Sequence, residues 1–265
     1  MKKNYEMDMC SGPILGKLLT FTIPLIFSGI LQLLFNAADV IVVGRFAGSQ
    51  SLAAVGSTTA LINLMINIFI GLSVGVNVIV ARYYGAKREK DVQDTIHTAM
   101  ALSIVSGLFL IIVGQLLSRP MLELMGTPDD VIDKSTIYMR IIFIGMPANM
   151  IYNFGSAILR AVGDTKRPLY FLTAAGVINV VLNLFFVIMF QMDVAGVALA
   201  TAISQAISAC LVILCLMESE GGLSNLSATS LWNRVLDSLS VKVVELLVLV
   251  LLFLSLNNFN SESER

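Results

Sequence analysis

The sequence predicts an all-α membrane protein, a six-transmembrane-helix bundle followed by a divergent C-terminal tail. Three observations carry that expectation. Hydrophobic residues fill 57% of the 265 positions and charged residues 13%, against roughly a quarter charged in soluble domains. The 17 basic and 18 acidic residues are unevenly spread, leaving five long stretches with no Asp, Glu, Lys or Arg and a sixth with one. Each stretch supplies the ~20 residues needed to cross ~30 Å of hydrocarbon. Because lipid offers the backbone no hydrogen-bond partners, each must be a helix.

The six predicted spans are Leu18–Gly44, Leu52–Ala81, Thr95–Ser118, Ile141–Leu159, Leu169–Met192 and Val194–Met217. The first follows Lys2, Lys3 and Lys17, like a secretory signal, but a signal's apolar core is only about 7–15 residues and this stretch runs on to Asp39. Pro24 and Pro147 interrupt the first and fourth spans and free backbone carbonyls, as is tolerated in membranes and frequent in transporters. In the second span, Gly71 and Gly75 are four apart, a spacing that predicts close helix packing. The fifth and sixth spans are separated only by Asp193, which predicts an antiparallel hairpin. Cys210 and Cys215 lie in the sixth span and are expected to pack as small hydrophobes; with Cys10 they are too few for a disulfide framework.

Lys and Arg collect on one side of the membrane. Lys2, Lys3, Lys17, Arg82, Lys87, Arg88, Lys90, Arg160, Lys166 and Arg167 face Arg45, Arg119, Lys134 and Arg140 on the other, ten against four, and place the N-terminus in the cytoplasm. His97 is then expected as a surface residue at a cytoplasmic loop-to-helix junction. Residues 1–220 form the bundle. The tail, 221–265, is rich in Ser and Asn and holds a weak apolar segment near 243–256, shorter than a span and expected to be interfacial or disordered. With a net charge of −1 there is no footprint for nucleic acid. No HExxH, paired-Asp or Ser/Cys–His arrangement supports an enzyme, and no cofactor is expected.

Inside a bilayer the polar residues are informative, since a central Asp costs roughly 2.5–3.5 kcal/mol. Asp39 is the sole carboxylate in the six spans. It lies ~8 Å from the far end of its span, with Gln32 and Asn36 on the same helical face. Asn179 and Asn183, at i and i+4 of the fifth span, lie ~20 and ~13 Å from that end, and Thr201 of the sixth lies ~10 Å from it. Asn63 and Asn67 repeat the spacing in the second span. Singly such amides are interhelical glue. Overlapping in depth around one Asp, they form an oxygen cage suited to a cation or a proton.

Several stretches carry a resemblance. Phe21-Thr-Ile-Pro-Leu-Ile-Phe, Asn36-Ala-Ala-Asp-Val-Ile-Val-Val-Gly44 and Leu52-Ala-Ala-Val-Gly56 resemble the opening of the multidrug and toxic compound extrusion (MATE) family. Ala81-Arg-Tyr-Tyr-Gly-Ala86, Leu159-Arg-Ala-Val-Gly-Asp-Thr-Lys-Arg-Pro168, Asn179-Val-Val-Leu-Asn183 and Val194-Ala-Gly-Val-Ala-Leu-Ala-Thr201 follow in family order, so the resemblance covers about residues 10–217. It implies one lobe of a two-lobe antiporter in a bacterial-type plasma membrane. Such an antiporter exports amphipathic, often cationic compounds in exchange for H⁺ or Na⁺ by alternating access. It also implies that Asp39, Asn179, Asn183 and Thr201 bind the coupling cation, with no other metal. Members with this site carry Asp where this chain has Asn183, a departure that lowers the expected Na⁺ affinity and leaves charge change to Asp39. Gln32, Asn36 and Tyr138 are the expected cavity-lining residues.

The resemblance extends over one of the family's two six-helix halves and stops near Glu218–Gly222. We therefore expect the missing C-terminal bundle to come from a second copy, as a homodimer, or from another chain. The alternatives are a truncated or frame-shifted membrane fragment without transport, and a related flippase of lipid intermediates. The flippase requires basic residues for a diphosphate, and the spans contain none.

Overall fold

The computed structural model describes residues 14–218, all of whose regular elements are helical. The helices are α1 (Ile14–Val42), α2 (Ser49–Gly85), α3 (Glu89–Leu124), α4 (Asp129–Ile144), α5 (Met146–Ala161), α6 (Lys166–Leu184) and α7 (Asp193–Glu218). Single π-helical turns prolong α1 (Val43–Ala47) and α6 (Phe185–Met189). Five helices are long and apolar enough to cross a membrane, or six if the bent pair α4 and α5 counts as one span. Lys2, Lys3, Cys10 and the 221–265 tail, with its 243–256 segment, lie outside the described residues.

The fourth span departs most from expectation. Instead of one helix over Ile141–Leu159, α4 starts at Asp129 and meets α5 at a 48° bend around Gly145. The charged residues ahead of Ile141 hid this start. They occupy one side of an amphipathic helix whose other side buries Val131, Ile132, Ser135, Tyr138, Met139 and Phe143. Pro147 falls in the first turn of α5, where its missing N–H costs nothing. The Gly145 N–H turns back to the carbonyls of Ile141 and Ile142 at 3.3 and 3.0 Å. Pro24, by contrast, is carried inside a continuous α1, and its carbonyl accepts from the Ser28 hydroxyl at 2.8 Å.

α5 and α7 form the centre, α5 packing on α2, α3 and α7, and α7 on α4, α5 and α6. Phe143, Phe154, Leu110, Met139, Met150 and Val212 fill the core and are fully buried. α1 stands at the margin with α6 as its main long neighbour. Several close approaches are set by glycines that the spacing did not single out. A Cβ on Gly71 meets nothing within 4 Å, so the expected close packing fails at that position. A Cβ on Gly107 meets the Pro147 backbone, one on Gly114 the Phe143 ring, and one on Gly155 the Val212 side chain. Gly107 thus receives the α4/α5 bend.

Two further expectations are corrected. His97 is buried at 8% exposure, because α3 starts at Glu89 and carries it into the third turn among buried Thr95, Ile96, Ala99 and Met100. Cys210 is exposed, while Cys215 is buried and its sulfur accepts from the Arg167 guanidinium at 3.1 Å, a polar role rather than plain packing. The predicted hairpin holds, with α6 packed along α7. Asp193 is the first residue of α7 instead of the whole link.

These contacts predict that Gly114→Ala lowers stability by about 1–3 kcal/mol through overpacking against Phe143. Gly29→Ala, with open space around it, leaves stability unchanged. Thermal unfolding of the two variants in detergent measures the difference.

Candidate functional site

Near one end of the bundle, where α1 turns into α2 and α6 into α7, four side chains from three helices form a continuous hydrogen-bonded chain. We term this the hairpin end. The amide of Asn183 (α6) donates to the Asp39 carboxylate (α1) and, at 3.2 Å, to Asn179 Oδ1. Asn179 Nδ2 in turn donates to Thr201 Oγ1 (α7) at 3.2 Å. The four residues whose depths overlapped in the sequence are therefore brought together. Asn179 and Asn183 are buried, while Asp39 and Thr201 are half-buried. Asp39 lies eight residues before the end of the π turn at Ala47, and Thr201 eight after the start of α7 at Asp193, each ~12 Å along its helix.

Local sequence explains the docking. Gly176, Asn179 and Asn183 share one face of α6 at i, i+3 and i+7, and Phe35 and Asp39 share one face of α1 at i, i+4. A Cβ on Gly176 would meet the Phe35 ring, so this glycine lets the ring pack closely on α6 and sets the separation at which Asn183 reaches Asp39. The Asn183 side-chain oxygen is buried and accepts no hydrogen bond among the described residues. A carboxylate, this free oxygen and the Thr201 hydroxyl supply the hard oxygen donors that a small cation prefers. The carboxylate alone is enough to take a proton.

The expected cavity residues separate. Gln32 and Asn36 are exposed on the free side of α1. Tyr138 is buried in α4 at 8% exposure, within electrostatic reach of Asp39. Asn63 and Asn67 have the same spacing as Asn179 and Asn183 yet both are exposed on α2. Spacing places two amides on one face; only the neighbouring helices decide whether that face is inside.

Sequence reasoning missed two polar clusters. At the opposite end, fully buried Asp164 accepts from the backbone N–H groups of Lys166 and Arg167 at 3.2 and 3.1 Å and pairs with the Arg167 guanidinium. The signal was present as a helix start, an Asp two and three residues before the N–H groups it caps. At the hairpin end, Lys134 Nζ lies 2.7 Å from Asp193 Oδ2 and donates to Ser51 Oγ at 3.1 Å, tying the second turn of α4 to the first turns of α7 and α2. Nothing in the sequence brings residues 51, 134 and 193 together.

Comparison with known proteins gives consistent similarities. The chain is 35% identical over 188 residues to the probable multidrug resistance protein YoeA of Bacillus subtilis (strain 168), covering 69% of this chain and 41% of that relative. It is 31% identical over 201 residues to the probable multidrug resistance protein YpnP of the same organism, covering 76% of this chain and 45% of that relative. A crystal structure described as MATE in the bent conformation superposes with a TM-score of 0.74 at 25% identity, covering 80% of this chain and 48% of that one. The chain thus spans about half the length of the curated relatives it matches. The MatE family model matches residues 24–185, a stretch holding Asp39, Asn179 and Asn183, and with these similarities it shows that the chain belongs to the MATE transporter family.

Proposed function

We propose that this chain is one bundle of an ion-coupled exporter of amphipathic, often cationic compounds, and that Asp39, Asn179, Asn183 and Thr201 take up the coupling H⁺ or Na⁺. One observation carries the reading. Asp39, the one carboxylate well inside an apolar span among the described residues, is hydrogen-bonded across a helix boundary to a buried amide chain that ends on a third helix. A cation or proton arriving at Asp39 competes with the Asn183 amide for the carboxylate, so occupancy bears directly on how α1 is held against α6. Transport by alternating access follows if this contact differs between the two faces of the cycle.

The ten-to-four distribution of Lys and Arg supports a multi-pass plasma membrane protein with a cytoplasmic N-terminus and the hairpin end outside. The exposed amides Gln32, Asn36, Asn63 and Asn67, on the free sides of α1 and α2, support a surface that meets water, substrate or a second bundle instead of bare lipid. A second copy of the chain is one source of such a bundle. The neutral character of these amides favours an exporter of amphipathic cations over a flippase that must grip a diphosphate.

Asp39→Asn, in a complete transporter carrying this bundle, is expected to abolish ion-coupled export while leaving membrane insertion intact. Uphill efflux of a fluorescent cation from energised vesicles measures it, and undiminished efflux overturns the assignment. Gly176→Leu should reproduce much of that loss without touching a polar group, because the added side chain displaces Phe35 and with it Asp39. For the pairing, a cysteine placed at Asn67 in a cysteine-free background should crosslink to a partner in native membranes. Monomers alone, at full crosslinker reaction, exclude the homodimer.

A further inference from the structure

α1 and α6, the two helices joined by the Asp39–Asn183 hydrogen bond, both leave the α-helical register at the same end. The first π turn, Val43–Ala47, begins four residues after Asp39, and the second, Phe185–Met189, two residues after Asn183. We infer that these two turns form one conformational device, a paired register element that keeps the hairpin ends of α1 and α6 in step with the Asp39–Asn183 bond. This goes beyond the proposed coupling and does not depend on export.

A single π turn is an α-helix with one residue inserted, rare and concentrated at functional sites. Losing the insertion retracts the helix by ~1.5 Å and rotates everything beyond it by ~100°. Such a turn persists only where its surroundings hold it. Here the two turns touch each other, and both rest on α7. Val43 in the first is fully buried and Val187 in the second is 5% exposed. Phe185 and Phe186 of the second turn cluster with Phe190, ring centroids 5.2–6.3 Å apart.

The chain beyond each turn is built to absorb a change of register. Gly48 has φ 87°, and the non-glycine residues Gln191 and Asp193 have φ 50° and 53°, left-handed positions where a helix direction is reset. Ser51, three residues past Gly48, and Asp193 itself are tied to Lys134. A register shift is therefore confined between the Asp39–Asn183 bond on one side and the Lys134 contacts on the other. With the turns packed on each other, one cannot shift without removing support from its partner.

Hydrogen–deuterium exchange of the full chain in lipid nanodiscs tests this, read on peptides covering residues 43–47 and 185–189. Asn183→Leu, which removes the bond, is expected to speed exchange about tenfold or more in both turns. Deleting Phe46, an exposed residue of the first turn, restores α-helical register there. It is expected to leave the thermal midpoint within a few degrees while speeding exchange in 185–189 by a similar factor. Deleting Val181, exposed but in α-helical register, is expected to unfold the chain. A response confined to one turn, no response in either, or a Phe46 deletion that leaves 185–189 unchanged overturns the inference. If the Phe46 deletion does not fold, the Asn183→Leu comparison still decides.

Discussion

One polar contact between two apolar helices, the Asn183 amide on the Asp39 carboxylate, determines where α1 stands. The other helices of the bundle are held on several sides, whereas α1 has a single main long neighbour. A carboxylate facing lipid there would cost several kcal/mol, and dispersion between apolar helices offers little net preference over lipid tails. Together with the Phe35 ring on Gly176, the hydrogen bond therefore supplies the specificity of the α1–α6 register. The buried amide chain to Thr201 extends that register to α7.

The rest of the bundle is assembled by a different device, close approach at small residues. Gly107 admits the Pro147 backbone, Gly114 the Phe143 ring and Gly155 the Val212 side chain. A few polar crosslinks between helices add to this, such as the Asn77 amide on the Ala157 carbonyl at 2.7 Å and the Ser57–Ser135 hydroxyl pair at 3.1 Å. The outcome is a closely packed group of α2, α3, α4, α5 and α7 with α1 on one flank. Membrane proteins that must move can combine these two modes, packing that admits one arrangement and a polar contact that an ion can contest.

The apolar stretches and the polar cluster were legible in the sequence for the same reason. In lipid a long uncharged run has no alternative to a helix, and an Asp or Asn within it stands out against its background. Asp39, Asn179, Asn183 and Thr201 could be grouped because helical rise converts sequence position into depth. The sequence failed where position along the helix was not the deciding quantity. The start of α4 was hidden because charged Asp129, Asp133 and Lys134 belong to an amphipathic helix. His97 and Cys210 exchanged their expected environments because rotation about the helix axis, set by neighbours, decides burial. Asn63 and Asn67 cannot be told from Asn179 and Asn183 by spacing, and only packing puts one pair inside. The π turns left no compositional mark at all.

The contact of Lys134 with Asp193 and Ser51 has a mechanical meaning. It fastens the starts of three helices, α2, α4 and α7, into a small tripod at the end where α1 and α6 finish. A tripod gives the bundle a fixed datum: α1 enters it through Gly48 and α6 through left-handed Gln191 and Asp193, the latter the first residue of α7. Bending or twisting of either helix is then converted into displacement of its far end, where the leverage of a helix tens of ångströms long is greatest. A change of a few ångströms beside Asp39 would be read out at the opposite face of the membrane.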